Sequence, residues 1–302
     1  MGGPKKPAQI LTMQIWVYIA LVSGFLGFYT LFIDINIFIK ILAIYGFLNC
    51  FLSSCPLISF KDYPILIGCI YLYWLLTKLK HWEIIFKLIL TLVIFNLFFV
   101  IIQLLNKDSL LNWGLSKNLV EGTFRNPMQL KSLIIVALAF IIAYKKPKFI
   151  KNKWFIVLLI IGSISYLFFH KVFHYFPLIR LGAWKEAFRI YLLHPLFGWG
   201  MGSFKFIFPA LSEGYFKGEG LWLQAHNDWL QILFEMGSFG FLITLGFVGS
   251  LIFSLRKHFY ILVGLAMIAF DMTVHFPLHM ISTVLIIIAF LAYCNKEVLD
   301  VG

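Results

Sequence analysis

The stretch LQAHNDWLQILFEMGSFG (223–240) decides how this chain is read. From Trp229 onward it reads as the start of a membrane-spanning helix, yet His226, Asn227 and Asp228 stand at its mouth, and Gln231 and Glu235 are carried inside. Polar groups are disfavoured in hydrocarbon and are usually functional there. For a helix starting near Asn227, Asp228 and Glu235 lie about 20° from alignment, with Gln231 within about 60–80° of both. The three form a polar stripe facing a bundle interior. Asp228 in the first turn suits the helix dipole, and Asn227 or Asp228 could cap the helix. Capping and interhelical hydrogen bonding account for Asn227 and Asp228 and extend to Gln231 and Glu235. They do not account for His226.

The rest of the chain is just as apolar. Of its 302 residues, 61% are hydrophobic, 13% are charged and 34 are Phe, and the mean hydropathy is +0.91. A water-soluble domain of this length could not hide so much apolar surface, so the bilayer is expected to be the solvent for most of it. Backbone in lipid satisfies its own hydrogen bonds as helix. The expected fold is therefore an all-α polytopic integral membrane protein. Apolar runs near 10–31, 35–53, 62–79, 83–105, 129–144, 154–170, 229–253, 259–274 and 279–294 give about nine transmembrane helices on the roughly 20-residue criterion. With no internal repeat, 1–302 reads as a single transmembrane domain whose N-terminal helices (1–105) carry no motif. The first helix reads as a retained span, because no small-residue cleavage pattern follows it.

The net charge is +12. Lys78 and Lys80, the cluster KKPKFIKNK (145–153) and Arg256/Lys257 fall on one side of alternating spans, which the positive-inside rule makes the cytoplasm. Lys5 and Lys6 then fall outside, against that rule. Segments 106–128, 171–228 and 275–279 face outward. No nucleic-acid motif accompanies the charge, so the expected surroundings are membrane lipids and no nucleic acid. Cys50, Cys55, Cys69 and Cys294 show no metal-ligand spacing. Cys50 and Cys55 could pair in an oxidising compartment, though apolar-site thiols are the plainer reading.

The loop 171–228 is too long to be a mere connector. Its segment RLGAWKEAFRIYLLH (180–194) places Leu181, Trp184, Ala187, Phe188, Tyr191 and Leu192 on one helical face, as in a helix lying at the membrane interface. Arg180 falls on that apolar side. It either precedes the helix and snorkels to water, or it meets an anionic partner. In HPLFGWGMGSF (194–204), Gly198, Gly200 and Gly202 follow no strand, so a compact turn is favoured over a phosphate loop. The outward loop ending in EGTFRNPMQLKS (121–132) holds Arg125 at the mouth of a span.

Histidine is the side chain best suited to take a proton near neutral pH, and guanidinium groups suit pyrophosphate oxygens. His226 with Arg180 and Arg125 at a membrane surface points to group transfer from a lipid-linked phosphate donor. No DxD motif or His/carboxylate cluster in the outward loops implies a metal, and no other cofactor is expected.

Three stretches resemble a known family. GTFRNPMQLKSLI (122–134), RLGAWKEAFRIYLLHPLFGWGMGSF (180–204) and AHNDWLQILFEMGSFGFL (225–242) are similar, in order and spacing, to the signatures of the O-antigen ligase/polymerase superfamily of bacterial inner-membrane glycosyltransferases. HFPL (275–278) also fits, and the likeness covers roughly 119–293. It implies a GT-C-like bundle with a large periplasmic loop carrying an interfacial helix. It also implies an undecaprenyl-pyrophosphate-linked glycan donor and a glycolipid or other hydroxyl acceptor such as lipid A-core, with inverting, metal-independent transfer. On that resemblance His226 is the base or positions the acceptor hydroxyl, and Arg180, before Trp184, binds pyrophosphate. The family's other arginine commonly precedes the Gly-Thr-Phe, where this chain has Lys117 and Glu121, so Arg125 or Lys117 would substitute for it. Polymerases and protein O-oligosaccharyltransferases share these motifs. A lipid-linked sugar transporter would instead place polar residues at mid-membrane in paired halves, and a scaffold would leave His226 replaceable.

Overall fold

The computed structural model describes residues 18–19, 21–105, 127–148, 176–213 and 222–299, and these are all-α. Lys117, Arg125, the segment 154–170, Lys5, Lys6, Lys151 and Lys153 lie outside the described residues. The helices are α1 (Leu21–Phe32), α2 (Ile37–Leu52), α3 (Pro56–Thr77), α4 (Trp82–Leu105), α5 (Pro127–Lys145), α6 (Phe176–Tyr191), α7 (Phe204–Leu211), α8 (Asp228–Leu255), α9 (Phe259–Val274) and α10 (Ile281–Leu299), with a 3₁₀ turn at Pro277–His279.

The expectation of a GT-C-like bundle of about nine transmembrane helices is corrected. Among the described residues two helices are long and apolar enough to cross a membrane, Trp82–Ile102 with 21 residues and Asp228–Leu255 with 28. Length is one reason. Helices α2 and α9 have 16 residues each, about 24 Å at ~1.5 Å per residue, short of a ~30 Å hydrocarbon core. Helix α3 has 22 residues but carries Lys61, Asp62 and Pro64. Apolar runs marked where helices form, not how long each of them is. Helix α4 exposes Ile84, Leu88, Ile94, Phe95 and Phe98, an apolar surface suited to lipid.

The chain divides into two compact units. The first draws on residues 1–78, 186–225 and 229–254. Here α2 and α3 pack together. Asn36 starts α2 by accepting from the Phe38 N–H, and Pro56 at the head of α3 presets the helical φ. The buried Tyr63 hydroxyl donates to the Ala43 carbonyl at 3.1 Å. Gly237 takes φ 67°, ψ −174° and breaks the helical path of α8.

The second unit draws on residues 79–185, 226–228 and 255–302. Its centre is α5, packed against α9 and α10 and flanked by α4. Leu133, Val136, Ala137 and Phe140 on α5 are fully buried at helical spacing. Gly264 lets α9 come close: a Cβ there would lie 2.6 Å from the Phe290 ring and 3.0 Å from the Ala139 carbonyl. Tyr293 of α10 joins Phe140 and Trp82 at ring-centroid distances of 5.9 and 5.5 Å. Burying each such ring contributes roughly 1.5–3 kcal/mol.

Candidate functional site

Helix α9 ends where the His275 N–H donates to the Asp271 carbonyl at 2.8 Å and the chain turns extended. Pro277 cannot continue an α-helix and opens the 3₁₀ turn. That ending puts two histidines, His275 and His279, on a short connector between α9 and α10. Each is held by a fully buried carboxylate.

The first pair is His275 Nδ1 and Asp271 Oδ1, at 2.5 Å. Asp271 Oδ2 accepts the Ser132 hydroxyl, which comes from α5. The second pair is His279 Nδ1 and Asp228 Oδ1, at 2.8 Å, while Asp228 Oδ2 accepts the Leu278 N–H at 2.9 Å. In each pair the carboxylate engages Nδ1, so Nε2 is the nitrogen turned away from it. Asp228, read from sequence as a helix cap, thus fastens segment 226–228 to the connector 278–279. Among the described residues no three of His, Cys, Asp and Glu come together as a metal-binding group.

His226 stands two residues before α8 with φ 53°. Histidine tolerates this left-handed conformation better than most side chains, though it still costs about 1 kcal/mol or more. Its ring meets Phe276 edge-on, 4.8 Å between centroids. Burial first, then the charges of Arg180 and His275, push its pKa down to about 3. The ring is neutral at any ordinary working pH.

Arg180, on the first half of α6, donates from Nη1 to the Val274 carbonyl at 2.9 Å. That carbonyl belongs to the last turn of α9, where backbone acceptors lack helical partners and the dipole favours a cation. Burial lowers the Arg180 pKa. Of the apolar face expected to lie at the membrane interface, Ala187 and Tyr191 are buried and Leu181, Phe188 and Leu192 are exposed. Ala183, Ala187 and Ile190 form the buried stripe, and Arg180 continues it by spacing. Trp184 is half-buried.

Gln231 and Glu235 are buried in the first unit. Glu235 accepts from the Gly202 N–H at 2.9 Å and the Phe204 N–H at 3.2 Å, holding the N-terminus of α7. The Gln231 side-chain oxygen accepts from the Ala225 N–H at 3.0 Å, and its amide donates to Gln224 and Glu235. Asn227 is half-buried. Gly198, Gly200 and Gly202 all adopt positive φ, and a Cβ on Gly200 or Gly202 would collide with Ser59 or Asp62. All four cysteines are free thiols.

Three residues escaped the sequence reading, Ser132, Asp271 and His279, and His275 entered it only as part of HFPL, with no role of its own. The four-residue spacing of Asp271 and His275, and of His275 and His279, was the available signal, hidden in a segment otherwise read as the end of one span and the start of the next.

Two facts from known proteins bear on this geometry. The family model described as O-Antigen ligase (Wzy_C) matches residues 128–245, well under half of the chain. That range includes Ser132, Arg180, His226, Asp228, Gln231 and Glu235 and ends before Asp271. No curated protein and no solved structure matches the chain. Together with the two helices of membrane-spanning length, the partial likeness to O-antigen ligases associates the chain with a membrane and with glycan transfer.

Proposed function

We propose that this chain transfers a glycan from an undecaprenyl-pyrophosphate-linked donor to an acceptor hydroxyl, with lipid A-core as the leading acceptor, at the periplasmic face of the bacterial inner membrane. The observation that carries the reading is the closeness of Arg180 and His226 in one unit, near enough for the arginine charge to depress the histidine pKa, with both inside the O-antigen ligase match.

The acceptor oxygen attacks the anomeric carbon, and the bond from that carbon to the pyrophosphate oxygen breaks. Attack from the opposite face inverts the sugar. The leaving oxygen takes the electron pair, and Arg180 stabilises the charge that develops there. His226, held neutral, accepts a hydrogen bond from the acceptor hydroxyl and aims it. Lys117 and Arg125 are further cations for the pyrophosphate by resemblance.

The test is the full chain purified into lipid nanodiscs with an undecaprenyl-pyrophosphate-linked glycan and a panel of acceptors. Glycan appearing on lipid A-core supports the ligase reading. Appearance on a growing glycan or on protein hydroxyls moves it to a polymerase or a protein O-oligosaccharyltransferase. Movement of donor between leaflets with no transfer to any acceptor overturns it in favour of a transporter.

A further inference from the structure

We propose that His275, oriented by Asp271, is the group that takes the proton from the acceptor hydroxyl; this rests on the glycan-transfer reading above. Three observations converge on it. First, the imidazole is fixed as a general base needs. Its Nδ1 is committed to Asp271 at 2.5 Å, and Asp271, fully buried, has its second oxygen held by the Ser132 hydroxyl. A carboxylate locked by two partners sets both the tautomer and the direction of the ring, leaving Nε2 as the working nitrogen. That nitrogen makes no hydrogen bond among the described residues.

Second, His275 is the neighbour in sequence of Val274, whose carbonyl receives Arg180 Nη1 at 2.9 Å. The group assigned to the leaving pyrophosphate and the group assigned to the incoming hydroxyl are therefore tied to consecutive residues at one helix end. Third, His226 is a poor competitor for the proton. Burial, Arg180 and His275 itself hold it to about 3, and a base so weak gains little from accepting a proton near neutral pH. Aiming the hydroxyl is the task left to it.

In the step, the acceptor O–H bond breaks and its proton goes to His275 Nε2 as the new bond from oxygen to the anomeric carbon forms. The bond from that carbon to the pyrophosphate oxygen breaks, and the lipid pyrophosphate leaves with the electron pair. Asp271 remains ionised and balances the imidazolium. The charged and titratable groups around His275 are Asp271 on α9, Arg180 on α6, His226 just before α8, Asp228 at the start of α8, and His279 on the connector.

The experiment measures transfer by the full chain in nanodiscs, with kcat/KM followed across pH at saturating donor. His275→Gln is expected to lower kcat about 10²–10⁴-fold, to leave the donor KM steady and to remove the acidic limb of the profile. His226→Gln is expected to slow transfer but keep that limb. The reverse pattern, a limb lost with His226→Gln and kept with His275→Gln, overturns the proposal and makes His226 the base. Binding of labelled donor reports folding. Should His275→Gln lose it, Asp271→Asn decides, since it keeps the imidazole and removes its anchor: a fall in kcat at steady donor KM supports the dyad, and an unchanged kcat overturns it. An inactive wild-type chain would instead overturn the glycan-transfer reading, and the base assignment with it.

Discussion

The Ser238 N–H donates to the Pro195 carbonyl at 2.8 Å, across a helix that Gly237 has opened. The exchange is reciprocal. Phe239 N–H donates to Leu196, while the carbonyls of Phe234 and Glu235, which an unbroken helix would pair with Ser238 and Phe239, accept from Trp199 and Gly200. The turn 195–200 thus plugs the break, and these four freed backbone groups find partners. A Cβ at Gly237 would lie 2.3 Å from the Leu196 carbonyl oxygen, at a φ of 67°. Gly237→Ala is therefore expected to destabilise the first unit by about 2–4 kcal/mol. Thermal unfolding in detergent checks this; a melting temperature equal to wild type would mean that the turn relaxes freely.

Glu235 is assigned to structure by the same turn. Its carboxylate receives two backbone N–H groups at the start of α7. Glu235→Ala leaves those donors buried without it and should cost about 1–3 kcal/mol, whereas Glu235→Gln keeps an acceptor and should cost less. Both variants should bind donor as wild type does once folded. A fully stable Glu235→Ala with no transfer would place Glu235 in the chemistry instead.

His226 gives a pH dependence whose sign is fixed. Its folded pKa, about 3, lies below the ordinary 6.5. Between those values the unfolded chain binds a proton that the folded chain does not, so stability rises with pH through that window. The contribution is complete above about 6.5 and is lost as pH falls toward 3. At pH 5 it amounts to a loss of about 2 kcal/mol relative to pH 8. His226→Gln should flatten this part of the curve, as measured by denaturant unfolding at both pH values. An unchanged slope would trace the dependence to other groups.

How much of this was legible depended on what each residue was legible by. His226 and Arg180 stood out by type, because each is polar where its neighbours are apolar. The helices were legible by hydropathy, with the described ones close to their expected positions. Span count was not, since a 16-residue helix and a 21-residue helix leave the same apolar trace until charges and caps are placed. On α6 the apolar periodicity marked Leu181, Phe188 and Leu192, which are exposed, while Ala183 and Ile190, which it left out, are buried together with Ala187. The pair of Asp271 and His275 left only a four-residue spacing as its signal, and the Ser132 hydroxyl that holds Asp271 comes from 139 residues away. One chain's sequence cannot display that contact; only the packing of α5 on α9 does.

Arg180 offers the sharpest test of the donor site, because its replacement can keep charge while losing shape. The guanidinium donates from Nη1 to the Val274 carbonyl, and the planar fork of a guanidinium suits bidentate contact with a pyrophosphate. Lysine places one compact ammonium at the end of a flexible stem and cannot serve both partners in fixed geometry. Arg180→Lys is therefore expected to raise the donor KM roughly 10–100-fold, the range of one lost bidentate contact at about 1–3 kcal/mol. Acceptor KM should stay near wild type. A steady-state titration of each substrate separates the two. If Arg180→Lys turns over donor normally, the arginine is an anchor for the end of α9 and the pyrophosphate is held elsewhere.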